Sequence, residues 1–99
     1  MRLTLQQAQH IRDIVTAVLG SDIRLKLFGS RLDDTQRGGD IDLLLESDTA
    51  IPDPALVAAR ISARVSRALG GRKVDILLSA PNLQHLPIHD VAAHEGILL

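Results

Sequence analysis

Three aspartates stand at positions that the surrounding sequence marks as β-strand, although aspartate is depleted in strands. Asp40 and Asp42 lie two residues apart at the entry to one apolar stretch, and Asp75 interrupts another over residues 74–78. Because strand side chains alternate, Asp40 and Asp42 share a face and are within reach of a common cation. A buried carboxylate without a partner is costly, so we expect an ion, a base or water beside Asp75. If the two strands are neighbours, the three carboxylates form one cluster.

Such a cluster predicts a divalent cation site. Like charges this close repel one another unless cations neutralise them, and hard oxygen ligands suit Mg²⁺ or Mn²⁺. Mg²⁺ leaves coordination positions for water or substrate phosphates, which is the arrangement of two-metal phosphoryl and nucleotidyl transfer. The structural alternatives are a solvated turn for Asp40 and Asp42, and an ion pair of Asp75 with Arg72 or Lys73.

Gly29 and Ser30 form a second motif, at the end of the strand predicted over residues 23–28. A phosphate can approach the backbone closely at a glycine, and the serine hydroxyl and the following N–H groups are donors for it. A simple tight turn is the alternative. Together with the aspartates, the pair indicates chemistry on a phosphorylated substrate.

Hydrophobic periodicity predicts the elements that position these residues. Thr4 and Gln7 form a possible capping box before a helix over residues 5–19, which Gly20 ends. Strands are predicted over residues 23–28, 41–45 and 74–78. A second helix follows Asp53 as N-cap and Pro54, and a short third helix covers residues 88–95. This order predicts one α/β (α+β) domain over residues 1–99, with a small mixed sheet of three or four strands and helices packed on it.

The composition limits the classes of function that the chain can have. With 99 residues the chain has room for a core and a shallow site. Phe28 is the one aromatic residue, because the chain has no Tyr and no Trp, which argues against recognition of nucleic acid by base stacking. The formal charge of −1 lacks the basic excess expected of a general nucleic-acid binder. Nucleic acid stays possible through local clusters such as Arg60, Arg64 and Arg67, for which a solvated helix face is the alternative. The four histidines lack metal-ligand spacing and are interpreted as surface or hydrogen-bonded residues.

The chain has no cysteine and no long apolar run, and both features bear on its cellular compartment. Without cysteine there is no disulfide framework, which is compatible with a reducing compartment. A membrane span needs about 18 apolar residues, and none is present. The sequence therefore predicts a cytoplasmic protein without a membrane partner.

The motifs, taken together, resemble a known family. Phe28-Gly29-Ser30-Arg31, then Asp40-Ile41-Asp42 after residues 31–39, and later Val74-Asp75-Ile76 are similar to the motifs of the DNA polymerase β-like nucleotidyltransferase superfamily. Within it the chain most resembles the minimal nucleotidyltransferases, small bacterial proteins often paired with a HEPN-domain protein as antitoxin and toxin. The resemblance extends over nearly the whole chain and implies the polymerase β-like palm fold.

The resemblance also implies a role for each motif residue. Gly29 and Ser30 would bind the triphosphate, and Arg31 would add a phosphate contact. One departure is that Gly38 and Gly39 precede Asp40, where many relatives have Ser-Asp. The glycines remove a hydroxyl from the loop and leave the carboxylates in place.

For the acids, the resemblance implies that Asp40 and Asp42 carry two Mg²⁺ ions, with Mn²⁺ as a substitute. Asp75 would help to bind the catalytic metal and act as base toward the attacking hydroxyl. The implied reaction is in-line attack on the α-phosphate of a nucleoside triphosphate, ATP being expected, with release of pyrophosphate.

The acceptor and the partner follow from the same resemblance. Larger relatives bind base and acceptor with additional domains, so we expect a HEPN-domain protein or a homo-oligomer to supply those surfaces. A side-chain hydroxyl of the HEPN protein would be the acceptor, which would make this chain an antitoxin. The alternative is a catalytically silent module of the same fold that neutralises or scaffolds its partner by contact.

Overall fold

The computed structural model describes residues 3–28 and 41–99 of the chain. Its elements, in chain order, are α1 (Leu5–Leu19), β1 (Ile23–Phe28), β2 (Ile41–Ser47), α2 (Pro54–Ala68), β3 (Val74–Ser79), α3 (Pro87–Glu95) and β4 (Ile97–Leu98). The predicted element order and the α+β class are confirmed. The predicted boundaries are exact for α1 and β1, whereas β2 continues to Ser47, because Glu46 and Ser47 still pair with Arg24 and Ile23.

The four strands form one mixed sheet in the order β3-β2-β1-β4. β1 is antiparallel to both of its neighbours, β2 and β4. β2 and β3 are parallel, and α2 makes the crossover between them. The fourth strand is the two-residue segment Ile97–Leu98, for which the sequence indicates only an apolar tail that packs on something.

The predicted N-cap residues of α1 and α2 are confirmed, and the two caps differ in their hydrogen bonds. At α1 the backbone N–H of Thr4 donates to Gln7 Oε1 at 2.9 Å and the N–H of Gln7 donates to Thr4 Oγ1 at 3.0 Å, which confirms the capping box. Asp53 occupies the N-cap position of α2 and Pro54 follows it, as predicted, but the Asp53 side chain makes no capping hydrogen bond. Its backbone is left-handed (φ 49°), whereas a capping side chain needs an extended backbone to reach the first N–H groups.

Strand alternation divides the sheet's side chains between two faces. We call the first the core face, because its side chains pack with α1 and α2 in the main cluster: Leu25, Leu27, Ile41, Leu43, Leu45, Val74 and Leu78 from the strands, with Ile11, Val15, Ile61 and Val65 from the helices. The opposite face carries Arg24, Lys26, Phe28, Asp42, Leu44, Glu46, Asp75 and Leu77. We call it the α3 face, because α3 contacts β1 and β2 there and Lys26 Nζ donates to the carbonyl of Ala93 at 3.2 Å.

Candidate functional site

Two of the three predicted carboxylates lie side by side on the sheet. Asp42 of β2 and Asp75 of β3 are register partners on neighbouring parallel strands. Phe28 of β1 is the register partner of Asp42 on the other side, so the three side chains form one row across the α3 face. Neighbouring strands are about 4.8 Å apart, which brings the two carboxylates within reach of one cation. The strands that carry the acids are therefore neighbours, as the predicted cluster requires.

The remaining predicted site residues, Gly29, Ser30, Arg31 and Asp40, lie outside the described residues. Phe28 ends β1 and Ile41 begins β2, both at the end of the sheet that carries Asp42 and Asp75.

The core determines which way the aspartates face. Asp42 lies between Ile41 and Leu43, both fully buried on the core face, so strand alternation directs its side chain to the α3 face. Asp42 is half-buried and Asp75 is exposed. The expectation of a buried Asp75 is wrong, because the apolar residues around it serve the core face while Asp75 itself faces outward. Burial therefore places no demand on Asp75 for a partner.

The donor set of the aspartate pair fits a hard divalent cation. Mg²⁺ is usually held by one or two carboxylates together with water and substrate phosphates. Asp42 and Asp75 supply two such carboxylates on one face. Within residues 3–28 and 41–99 no group of three or more His, Cys, Asp or Glu is placed to hold a metal ion. The third acid of the predicted cluster, Asp40, is outside that range.

Charged residues also occupy the other end of the α3 face. Glu46 Oε1 lies 3.1 Å from Lys26 Nζ and 3.8 Å from Arg24 Nε. Arg24 reaches Asp48 as well, at 3.2 Å, and the hydrogen bond and the charge of Asp48 raise the pKa of Arg24. Two cations and two carboxylates thus lie together at this end of the face, and of these Lys26 also contacts α3, through the carbonyl of Ala93.

His89 anchors α3 to the sheet, a role that no pattern in the sequence indicates. His89 is buried, its Nδ1 accepts from the N–H of Leu86 at 2.9 Å, and its Nε2 lies 2.9 Å from the carbonyl of Leu78. A nitrogen that accepts carries no proton, so Nε2 carries it and donates to Leu78. The prediction of hydrogen-bonded or surface histidines is confirmed. His89 fastens the start of α3 to the end of β3, away from Asp75.

The sequence matches no protein-family model, and no curated protein matches it. In the part of the chain that the structure describes, no helix is long and apolar enough to cross a membrane. The functional assignment therefore depends on the chain's own residues.

Proposed function

We propose that this chain is a Mg²⁺-dependent nucleotidyltransferase of the cytoplasm that transfers a nucleotidyl group, AMP from ATP, to a hydroxyl acceptor. The observation that carries the proposal is the register of Asp42 and Asp75, which stand side by side on one face of neighbouring parallel strands. A pair of adjacent carboxylates is a suitable arrangement for a metal ion that binds a triphosphate. The sequence resemblance to the minimal nucleotidyltransferases supports the same activity.

In the proposed reaction the acceptor oxygen bonds to the α-phosphorus of ATP. The bond from that phosphorus to the bridging oxygen breaks, and pyrophosphate leaves. Asp75 receives the proton of the acceptor hydroxyl, for which its exposed carboxylate is accessible. Asp42 and Asp75, with Asp40, would hold Mg²⁺ or Mn²⁺, which would supply positive charge against the charge developing on the phosphates.

The other residues of the proposed site come from the sequence motif. Gly29 and Ser30 would hold the triphosphate through backbone N–H groups and a hydroxyl, with Arg31 as an additional phosphate contact. The described strands contribute one aromatic ring near the acids, Phe28. Contacts to the base and the acceptor would therefore come in part from a partner, either a HEPN-domain protein or a second copy of this chain.

The first prediction tests the aspartate pair. We expect Asp42→Asn and Asp75→Asn each to reduce AMP transfer on the order of 10²-fold or more, because each removes a carboxylate that handles charge or a proton in the transition state. The measurement is pyrophosphate release from ATP and Mg²⁺ with a HEPN-domain protein as acceptor. Asp48→Asn is the matched control, since it removes the same charge from an exposed aspartate that pairs with Arg24.

Two outcomes would contradict the proposal. One is a wild-type chain that releases no pyrophosphate with any hydroxyl acceptor. The other is full neutralisation of the partner by both aspartate variants, with circular dichroism showing that they fold. That second result would instead support the catalytically silent binding module.

A further inference from the structure

β3 forms one edge of the sheet, and the backbone hydrogen bonds show which of its groups face outward. In the order β3-β2-β1-β4, β3 pairs with β2 alone among the described residues. The N–H of Ile41 in β2 donates to the carbonyl of Lys73 at 2.9 Å, so that carbonyl points toward β2. Backbone direction alternates along a strand, and the N–H and carbonyl groups of Val74, Ile76 and Leu78 therefore point away from β2.

Two of these three outward carbonyls already accept a hydrogen bond from a helix. Ser62 Oγ on α2 donates to the carbonyl of Val74 at 2.6 Å, and His89 Nε2 on α3 donates to the carbonyl of Leu78 at 2.9 Å. Covering edge groups in this way discourages pairing with another strand. Ile76, between them, keeps an N–H and a carbonyl that no described residue meets. At Ile76 the edge is therefore open for a full backbone pair.

Asp75, the residue before Ile76, brings the proposed active site to this edge. Its side chain is exposed on the α3 face, and on the side away from Asp42 no described strand lies beside it. A strand added to β3 would continue the row of Phe28, Asp42 and Asp75 by one position, at a spacing of about 4.8 Å. The residue in that position would be the direct neighbour of the proposed base.

The direction of an added strand decides how close that neighbour lies to Asp75. In an antiparallel pair, the residue that exchanges both hydrogen bonds with Ile76 is followed by one that faces Asp75 in a non-hydrogen-bonded pair. Side chains are closest in such pairs, with Cα atoms about 4.5 Å apart. A serine or threonine there has its hydroxyl next to the Asp75 carboxylate. The longer side chain of tyrosine carries its hydroxyl beyond that carboxylate.

We propose that the acceptor is an extended protein segment that adds to β3 as an antiparallel strand and presents a serine or threonine hydroxyl to Asp75. The inference rests on the proposed function, because it takes Asp75 as the base. Main-chain hydrogen bonds to Ile76 supply affinity, as in other cases of β-strand addition. The hydroxyl oxygen bonds to the α-phosphorus of ATP and its proton passes to Asp75. The bond from that phosphorus to the bridging oxygen breaks, and pyrophosphate leaves.

The occupied carbonyls limit which segments fit. In an antiparallel ladder, hydrogen-bonded pairs recur at every second residue, so segment residues opposite Val74 and Leu78 would aim an N–H at a carbonyl that already accepts. Proline has no N–H and is tolerated at those two positions. Opposite Ile76, proline would lose a hydrogen bond. A proline two residues to either side of the one that faces Ile76 is therefore compatible with binding, and a proline facing Ile76 is not.

The test pans a phage-displayed library of heptapeptides with a central serine or threonine on the full chain. Enriched peptides are labelled with a fluorophore, and fluorescence anisotropy measures their affinity without ATP. Ile76→Pro removes the outward N–H and keeps the hydrogen bonds to β2, because proline is tolerated on an edge strand. Ile76→Ala is the matched control, since it shortens the same side chain and retains the N–H. Circular dichroism checks that both variants fold.

We expect Ile76→Pro to weaken peptide binding at least tenfold relative to Ile76→Ala, because the pair loses a hydrogen bond and meets the proline ring. The amide resonance of Ile76 in the wild-type chain should shift when the peptide binds.

A methyl group placed on each peptide nitrogen in turn tests the pairing without changing the protein. Methylation of the residue before the central serine or threonine, which faces Ile76, should weaken binding about tenfold. Methylation of the central residue itself should weaken it about twofold or less, since the N–H of a non-hydrogen-bonded pair points away from β3. With Mg²⁺ and ATP, mass spectrometry should find AMP on the central hydroxyl. A peptide with alanine there should bind within about threefold and receive none.

The docking and the enzyme activity fail in different ways. AMP transfer with the same peptide KM in Ile76→Pro and Ile76→Ala would overturn the docking and keep the proposed function. Peptide binding with the expected methylation pattern but without AMP transfer would keep the strand addition and contradict the proposed function. A library without enrichment, or an Ile76 amide that does not shift, would overturn the docking. Self-association that Ile76→Pro abolishes would assign the edge to a second copy of the chain instead.

Discussion

The side chains of β2 alternate between opposite environments, and this alternation decides what its aspartate can do. Ile41, Leu43 and Leu45 enter the core, while Asp42, Leu44 and Glu46 lie on the α3 face. Because Asp75 is in register with Asp42, it shares that face. Neither carboxylate is stabilised or forced out by the core itself. Their position side by side is therefore set by the strand register, rather than by burial in the core.

At the same scale, His89 should be the histidine on which stability depends most. We expect His89→Ala to lower the free energy of unfolding by about 2–4 kcal/mol, because it removes both hydrogen bonds and leaves the Leu86 N–H and the Leu78 carbonyl without their partner. Urea unfolding followed by circular dichroism measures the change. His94→Ala, an exposed histidine of the same helix, should change stability by less than about 0.5 kcal/mol. Equal losses in both variants would show that His89 is not an anchor.

Among the elements, α3 and β4 depend on the single residue that joins them. A Cβ on Gly96 would stand 2.5 Å from the carbonyl oxygen of Ala92 and 3.0 Å from Cβ of Lys26. The backbone of Gly96 is extended, with φ −70°, so any residue could adopt its dihedral angles. What requires glycine there is the close approach of Gly96 to the carbonyl of Ala92 in α3 and to Lys26 in β1.

We therefore expect Gly96→Ala to destabilise the fold by about 1–3 kcal/mol through overpacking. It should also accelerate hydrogen exchange at the amide of Leu99, which donates to Leu25, because β4 must move away from β1 to relieve the clash. Glu95→Ala, the exposed neighbour, is the control and should leave that amide protected. If Gly96→Ala keeps both its stability and the slow exchange, the junction has more room than the structure indicates.

Elements with a clear period could be predicted from the sequence, and those held by distant contacts could not. Leu5, Ala8, Ile11 and Val15 repeat at helical spacing, so α1 was predictable to its last residue. β4 was not, since Ile97 and Leu98 form a strand only through pairing with β1 some 70 residues earlier. Asp53 stands at the N-cap of α2, as its residue type predicts, but its left-handed backbone, which the sequence does not reveal, keeps its side chain from making the capping hydrogen bond.

The candidate site was likewise predictable from the sequence only in part. The shared face of the acids follows from alternation, but the pairing of Asp42 with Asp75 depends on the register between β2 and β3, which no local pattern specifies. The residues around Asp75 are apolar, which suggested burial, because a sequence does not show that one face of β3 is left to solvent there.

On the scale of the whole molecule, the sheet is covered unequally on its two sides. Two helices of 15 residues each pack on the core face, whereas α3, with 9 residues, packs on the other. Leu44 and Ala92 are buried between α3 and the sheet, outside the main cluster. A small contact of this kind favours opening of α3 as a unit before the rest of the fold unfolds.

Leu43 and Leu44 offer a matched test of this unequal stability, since they are 0% and 1% exposed on opposite faces of the same strand. Either leucine replaced by alanine should lower global stability by about 2–5 kcal/mol. If α3 detaches with the core intact, Leu44 is already exposed in the open state. Leu44→Ala should then lower the free energy of α3 opening by the full amount by which it destabilises the folded state. Leu43→Ala should leave the free energy of α3 opening unchanged. Native-state hydrogen exchange at the amides of α3 measures the difference. Equal acceleration of those amides in the two variants would mean that α3 opens only when the whole sheet unfolds.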